Sequence, residues 1–303
     1  MTIPITVVGG GVVAERLRRV IASRHQLVGR DLGATVVVLA MAGPHAATAA
    51  DLLRAGVHVV STSGAVDDVR ELLDLDDTAR AAGATLVVGA AVSPGLSGLL
   101  ARELVGRLAG CDELHIARHG TAGPACAREH HRALRGWAMG WQDGGWIERP
   151  AGSGRELCWF PEPVGARDCY RGELSDPLLL HRSFPEADRI SARVSATRRD
   201  RFTARFPMLS PPHREGGIGA LRVEARGHDD DGARVTLVVG IAELIGTAAA
   251  AVAAAFVDHL ASGTVPAGVV TSSDADLPTL NLLGAVARGG VRLQSFTGIP
   301  HTG

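Results

Sequence analysis

The first half of the chain alternates short β-branched runs with segments of helical periodicity, and this rhythm constrains the fold more than any other feature of the sequence. Strands are predicted near residues 4–9, 26–29, 35–40, 57–61 and 84–88, and helices over 12–23, 44–55, 67–82 and 95–109. Alternating strands and crossover helices are typical of a parallel sheet. The sequence therefore predicts an α/β fold that begins with a doubly wound, Rossmann-type domain.

The first strand leads directly into a glycine turn. Residues 9–14 read Gly-Gly-Gly-Val-Val-Ala, a GxGxxA pattern between a strand and a helix. In this pattern Gly9 allows the tight turn, Gly11 allows a pyrophosphate to approach, and Ala14 allows the helix to pack on the strand. We expect the backbone of Gly10, Gly11 and Val12 to present N–H groups to the anion. An ordinary turn between a strand and a helix is the alternative.

A second domain is predicted after about Cys111, where aromatic and arginine-bearing strand candidates are separated by glycine, proline and aspartate turns. Its strands are predicted at 156–160, 188–196, 219–226 and 233–240, with a hairpin turn at Asp229–Gly232, and an alanine-rich helix follows at 247–261. We predict a dinucleotide-binding domain over 1–117, joined by 275–303, and a mixed α+β substrate and dimerisation domain over 118–274.

Composition limits the chemistry that this protein performs. The 303 residues carry 31 basic and 32 acidic side chains, which favours neither nucleic acid nor a membrane surface as a partner, and we expect a small-molecule substrate. Every basic residue is arginine, so a Schiff-base lysine and a lysine general base are excluded. The four cysteines form no CxxC pair, and the sequence predicts a cytoplasmic protein without a metal site.

Several segments along the first domain resemble the saccharopine dehydrogenase-like (saccharopine reductase-type) family of NAD(P)-binding oxidoreductases. The resemblance covers about 100 residues and is carried by Ala42-Gly43-Pro44, by residues 55–64 (AGVHVVSTSG), by residues 81–89 (AAGATLVVG) and by Ser93-Pro94-Gly95-Leu96-Ser97. It implies that Gly9, Gly11, Ala14, Ala42, Gly43 and Pro44 line NAD or NADP, and that Ser63, Gly64, Ser93, Pro94 and Gly95 face the nicotinamide or the substrate. It also implies a homodimer and hydride transfer at a C–N bond of an amino-acid-derived substrate.

Two departures distinguish this chain from that family pattern. Ser61 and Ala65 replace two expected carboxylates. In addition, only residues 32–34 separate Asp31 from the next strand, so the second crossover helix is deleted, and the second strand is expected to be antiparallel or displaced. Arg30 is placed to meet the 2′-phosphate of NADP and Asp31 to hold the ribose of NAD, although a solvated turn is equally compatible with both residues. A cofactor-free binding or scaffold protein is therefore the alternative function.

The second domain offers few catalytic candidates. Asp168 and Tyr170 are two residues apart on a predicted strand, share one face and are candidates for proton transfer, with a core or interface tyrosine as the alternative. The adjacent His130 and His131 lack the spacing of metal ligands, which favours a structural or surface role.

Overall fold

The computed structural model describes residues 2–29, 33–208, 216–263 and 265–296, and the chain divides into two compact units. The first unit comprises Met1–Leu96 and Gly246–Val291, and the second comprises Ser97–Ile245 and Arg292–Gly303. Each unit is built around its own β-sheet.

The N-terminal part of the first unit alternates strands and helices, as the sequence predicts. Its strands are β1 (Pro4–Val8), β2 (Gln26–Leu27), β3 (Val36–Leu39), β4 (His58–Ser61) and β5 (Thr85–Val88). Its helices are α1 (Val12–Ala22), α2 (Ala46–Arg54), α3 (Val66–Leu73) and α4 (Asp76–Ala81), so the helix predicted over 67–82 is interrupted. All four residues of β3 and of β5 are buried, which is typical of strands covered on both faces.

The second unit begins within helix α5 (Leu96–Val105) and contains most of the remaining chain. Its strands are β6 (Gly110–His119), β7 (Trp137–Gln142), β8 (Gly145–Pro150), β9 (Glu156–Trp159), β10 (Ala166–Arg171), β11 (Arg189–Ser195), β12 (Ile218–His228) and β13 (Arg234–Leu244). Its further helices are α6 (Pro124–Ala133), α7 (Asp176–Ser183) and α8 (Arg198–Thr203). Strands β12 and β13 form the expected antiparallel hairpin.

The C-terminal segments are shared between the two sheets. Helix α9 (Ile245–Ala261) is followed by β14 (Gly268–Thr271), α10 (Thr279–Arg288) and β15 (Gln294–Ser295). Strand β14 pairs in parallel with β5, whereas β15 pairs with β13. These bounds differ from the predicted domain bounds, because β14 completes the first sheet and residues 97–117 belong to the second unit. No described helix is long and apolar enough to span a membrane.

The first sheet has the strand order β14-β5-β4-β3-β1-β2, and every pairing in it is parallel. The expectation of an antiparallel or displaced second strand is therefore wrong. Leu27 at the end of β2 and Val36 at the start of β3 both lie beside Ile5 of β1, on opposite sides. The connection thus crosses only two strand spacings, about 10 Å, and does not have to return along the sheet.

The short crossover is fixed to β1 by hydrogen bonds. The Thr6 hydroxyl donates to the carbonyl oxygens of Val28 at 3.1 Å and Gly29 at 3.3 Å. On the other side of β1, the Thr35 N–H donates to the Pro4 carbonyl at 2.9 Å. Arg30 and Asp31, which were expected to meet the adenosine end of the cofactor, lie outside the described residues.

The second sheet has the strand order β15-β13-β12-β6-β11-β10-β9, with the β7–β8 hairpin attached to β11. Strands β6 and β11 are parallel, whereas the other pairings are antiparallel. Apolar and charged side chains alternate along β12: Leu221 and Val223 are buried in the core, while Arg222 and Glu224 form an ion pair on the opposite face. One face of this sheet is therefore apolar and the other carries a network of charges.

Candidate functional site

The glycine turn between β1 and α1 combines one enclosed glycine with two open ones. Gly9 has a φ of +140°, and a Cβ there would overlap the carbonyl oxygen of Ala40, the residue that follows the neighbouring β3. By contrast, a Cβ on Gly10 or Gly11 would meet nothing within 4 Å. Ala14 is fully buried, as expected for the residue at which α1 packs on the sheet. The turn thus leaves open space in front of the N-terminus of α1.

Gly11 is the N-cap residue of α1, and because it has no side chain it does not cap the first N–H groups of the helix. The first N–H groups of a helix have no partner within the helix, and the helix dipole gives this end a partial positive charge. The open turn therefore offers N–H groups and a favourable potential to an anion such as a pyrophosphate.

Arg18 stabilises the same turn, although the sequence analysis did not identify it as a site residue. Its Nη2 donates to the carbonyl oxygens of Val7 at 2.7 Å and Gly9 at 2.6 Å. The guanidinium of α1 is thus hydrogen-bonded to the end of β1, which holds the glycine turn in one conformation. The only sequence signal for this contact is the position of an arginine two turns into the helix.

The loop after β3 contains the predicted residues Ala42, Gly43 and Pro44 and ends at a buried histidine. Gly43 has a φ of +97°, and a Cβ there would meet nothing within 4 Å. His45 is buried, with its Nδ1 2.8 Å from the Ser61 hydroxyl and its Nε2 3.1 Å from the Met41 carbonyl oxygen. This histidine therefore joins the ends of β3 and β4.

Asp68 supplies a carboxylate near the position where the family pattern has one. It is buried on α3, and its Oδ1 accepts hydrogen bonds from the N–H groups of His45 at 2.8 Å and Ala46 at 3.0 Å. Those two N–H groups begin helix α2, so Asp68 caps α2 from a distance of more than 20 residues in sequence. Ser61 takes a different role, because its hydroxyl accepts the Ser63 N–H at 3.2 Å.

The predicted segments Ser63–Gly64 and Ser93–Gly95 meet in the structure. A Cβ on Gly64 would lie 3.1 Å from Pro94 Cδ and 3.6 Å from the Ser93 carbonyl oxygen. Ser63 and Ser93 are both buried, and Gly95 has a φ of +134° that places it against Ala91. The structure thus brings these two segments together, while their contact with a nicotinamide or substrate stays a prediction.

The loops after β1, β3 and β4 lie at one edge of the first sheet, because the carboxyl ends of parallel strands share an edge. Strand β1 is flanked by β2 on one side and by β3 on the other, so the chain order reverses at β1. In open α/β sheets, ligands bind beyond the carboxyl ends of the strands at such a reversal. The predicted residues Gly9–Val12, Ala42–Pro44 and Ser63–Gly64 follow the ends of these strands.

The structure places Asp168 and Tyr170 on β10 of the second unit. The Tyr170 side chain is fully buried, and the Arg201 guanidinium carbon lies 4.2 Å from the centre of its ring. Asp168 forms an ion pair with Arg155 at 2.9 Å. Both contacts favour a structural role, which was the alternative for Tyr170, and the catalytic role of the pair stays a prediction.

A histidine and serine pair at the ends of β6 and β11 was missed by the sequence analysis. The His119 Nδ1 lies 2.7 Å from the Ser195 hydroxyl, and the His119 ring is partly exposed. Partial burial and then the positive charge of Arg167 lower the pKa of His119. At neutral pH this side chain is therefore a neutral imidazole with a fixed orientation.

His130 of α6 lies near this pair and is more deeply enclosed. Burial, followed by the charge of Arg118, lowers the pKa of His130 to about 4. Within the described part of the chain, its buried Nδ1 has no hydrogen-bond partner. Cys126, one turn earlier on the helix, has a pKa that burial raises. The sequence favoured a structural or surface role for His130 and His131, and residue spacing does not show which side chains meet across elements.

Searches for related proteins find a likeness in structure but not in sequence. No protein-family model matches the chain, and no curated protein matches it. Saccharopine dehydrogenase (L-Glu forming) from Saccharomyces cerevisiae matches with a TM-score of 0.63 and 13% identity, over 98% of this chain and 100% of that one. The chain has the fold of saccharopine dehydrogenase. This confirms the fold that the sequence resemblance implied.

Two further solved structures share the saccharopine dehydrogenase fold of this chain. An engineered D-amino acid dehydrogenase bound to NADP+ matches with a TM-score of 0.52 and 12% identity, over 93% of this chain and 96% of that one. A mutant of meso-dapdh from Clostridium tetani E88, with DAP, matches over the same shares of the two chains with a TM-score of 0.50 and 16% identity.

Among the described residues, no group of three or more His, Cys, Asp or Glu side chains is placed to hold a metal ion.

Proposed function

We propose that this protein is an NAD(P)-dependent oxidoreductase that acts on the C–N bond of a small amino-acid-derived substrate. The observation that carries the proposal is the open glycine turn at the N-terminus of α1, located where the strand order reverses. A dinucleotide pyrophosphate has the charge that this turn accepts. The names of the structural neighbours, saccharopine dehydrogenase and D-amino acid dehydrogenase, support the C–N substrate class.

The residues of the first unit fit a dinucleotide. The N–H groups of Gly10, Gly11 and Val12 would bind the pyrophosphate, and the open loop at Gly43 and Pro44 would lie along it. Ser63–Gly64 and Ser93–Gly95 would border the nicotinamide. When bound, the cofactor accepts or donates the hydride, and the protein orients it and excludes water.

We propose His119 as the acid/base group and an arginine as the group that binds the substrate carboxylate. The His119 ring is partly exposed and oriented by Ser195, whereas Tyr170 is buried beneath Arg201. Because the pKa of His119 is lowered, the neutral form accepts a proton when an amine is oxidised. Arginine stays charged at neutral pH and binds a carboxylate through two parallel hydrogen bonds.

The decisive experiment is a fluorescence titration of the protein with NADPH and NADH. A Gly11→Val variant should lose binding, because the side chain would fill the space in front of α1 without meeting protein atoms, so the fold is retained. Gly145→Val, a glycine-to-valine change in strand β8 where the nearest atom to a Cβ is 3.9 Å away, is the matched control. Unchanged binding by Gly11→Val would show that the glycine turn is not the cofactor site, whereas no binding by the unmodified protein would favour the cofactor-free alternative.

We also propose that the protein is a homodimer assembled through the second unit. The reason differs from the one expected, because Leu221, Val223 and Val239 are already buried within the chain. Large apolar side chains nevertheless remain exposed on this unit, among them Trp137 (60%) and Leu157 (55%). Exposed aromatic and aliphatic side chains of this size are the reason that we place the subunit contact on this unit. Light scattering at micromolar concentration should give the dimer mass, and a monomer mass would contradict the proposal.

A further inference from the structure

Four arginines gather on the charged face of the second sheet, beside the turn at Gly152–Gly154. Arg171 of β10 and Arg193 of β11 are directly opposite in the antiparallel register. Arg189 lies four residues before Arg193 and therefore on the same face of β11. Arg149 is the next-to-last residue of β8, just before the turn. Within the turn, the Ser153 carbonyl accepts the Arg171 N–H at 3.0 Å. Like charges directly opposite each other destabilise a pair of strands.

The carboxylates at this cluster do not balance its positive charge. Arg193 is ion-paired with Glu156 at 2.7 Å, and its Nη1 also donates to the Gly154 carbonyl at 2.5 Å. Arg189 lies opposite Glu113, which already binds His115 at 2.7 Å and Arg226 at 3.2 Å. Partial burial and then repulsion from the three neighbouring arginines lower the pKa of Arg171. Three further arginines are thus close to Arg171, and the carboxylates of Glu156 and Glu113 that face them already have partners.

The Arg171 guanidinium is held in a defined position. Its Nη1 lies 3.4 Å from the Ser153 hydroxyl. A Cβ on Gly154 would overlap this guanidinium, so the arginine packs directly against the backbone of the turn and would have to move if residue 154 had a side chain. The cluster is therefore pre-organised, and it remains accessible because Arg149 is exposed and Arg171 is partly exposed.

We propose that this cluster binds a small, multiply charged anion of the phosphate or polycarboxylate class. Guanidinium groups bind such anions through paired hydrogen bonds, and an anion between Arg149, Arg171 and Arg189 would convert their repulsion into attraction. The site lies in the second unit and is independent of the glycine turn and of the proposed cofactor. A bound anion explains why three cations share one part of a sheet face.

Calorimetric titration with inorganic pyrophosphate and, separately, with citrate tests this proposal. The titrations use the full chain carrying Gly11→Val, so that the glycine turn does not contribute to binding. Arg171→Gln, which keeps a hydrogen-bond donor for Ser153, should weaken binding at least tenfold. The matched control is Arg107→Gln, since Arg107 is an exposed arginine paired with Glu103 on α5, and it should leave the affinity unchanged. Preference for pyrophosphate or citrate would identify the anion class.

Arg149→Gln keeps the test decisive if Arg171→Gln does not fold, because Arg149 is exposed and its loss should weaken binding several-fold. Equal affinities in all variants, or no binding of either anion, would overturn the proposal. Sedimentation velocity adds a third outcome: a change of mass in Arg171→Gln without anion binding would make the cluster a subunit contact and also overturn it. NADPH binding by the protein with an intact Gly11 is expected to be insensitive to Arg171→Gln, so failure here is distinct from failure of the proposed cofactor site.

Discussion

Gly9 and Gly11 are glycines for different physical reasons, although both belong to the same short motif. At Gly9 any side chain would collide with the backbone just after β3, and the φ of +140° is unfavourable for other residues. At Gly11 the protein itself leaves room for a side chain. The requirement for glycine at position 11 therefore comes from a ligand, and Gly11→Val separates binding from folding.

His130 should make the stability of the protein depend on pH. Its pKa is about 4 in the folded protein and 6.5 in the unfolded chain, so between these values the unfolded chain binds the proton more strongly. The contribution of His130 to stability is therefore fully present above pH 6.5 and is lost as the pH falls toward 4, by up to about 3 kcal/mol for a shift of this size. We expect His130→Gln to flatten this dependence in urea denaturation experiments between pH 4 and 7.

The neighbouring His131 provides the control for that experiment. It is partly exposed, with its Nε2 2.9 Å from the Phe206 carbonyl oxygen. The His131→Gln variant should keep the pH dependence of the unmodified protein. If His130→Gln and the unmodified protein lost stability in parallel below pH 6.5, other groups would be responsible.

The residues that the sequence did not identify are those whose roles depend on contacts across elements. Arg18 reaches back to the end of β1, and His119 meets Ser195, which is 76 residues away. Residue spacing predicts which side chains share a face of one helix or strand, but not which of them meet after the elements pack. The glycine turn was predictable because all of its parts lie within six consecutive residues.

At the level of elements, helix α2 depends on a cap that comes from α3. Asp68 accepts the N–H groups of His45 and Ala46, and all three residues are buried. Replacing Asp68 with Ala would leave these two N–H groups without their acceptor in a site closed to water. We expect the free energy of unfolding to fall by about 2–3 kcal/mol, measured by urea denaturation.

The adjacent Asp67 offers a close comparison on the same helix. Its side chain is exposed and pairs with Arg70 at 3.3 Å, three residues along α3. Such a surface pair contributes little, so Asp67→Ala should change the stability by less than about 0.5 kcal/mol. An effect of Asp68→Ala as small as the one expected for Asp67→Ala would show that the cap at α2 does not stabilise the fold.

The second crossover shows why a rule about elements failed here. Parallel strands usually need a long connection because the chain must return along the sheet before the next strand begins. Strand β2 has only two residues and ends beside Ile5, where β3 begins on the other side of β1. A prediction from the sequence would have needed the register of two strands, which residue types alone do not specify.

For the whole molecule, the order of predicted strands and helices was sufficient to give the fold class but not the unit boundaries. Strand β14 is a short buried run that lies more than 170 residues after β5, its partner in the first sheet. A helix of alanines such as α9 has no narrow apolar face that would identify the sheet it covers. Both segments therefore looked like parts of the second domain in the sequence.

The short connection between β2 and β3 should also limit the affinity for a dinucleotide. Strand β2 lies at the edge of the described sheet, so only one strand lies on that side of β1. The described residues of the connection from β2 to β3, 28–29 and 33–35, contain no helix. Few elements are then left to contact the adenosine, and we expect NADPH and NADH to bind with a Kd of roughly 10 μM or weaker.

Any preference for NADPH should depend on Arg30, which lies outside the described residues, because its positive charge would attract the 2′-phosphate. Arg30→Ala should therefore remove that preference and leave NADH binding nearly unchanged in fluorescence titrations. Submicromolar binding that is insensitive to Arg30 would mean that other residues have rebuilt the adenosine site.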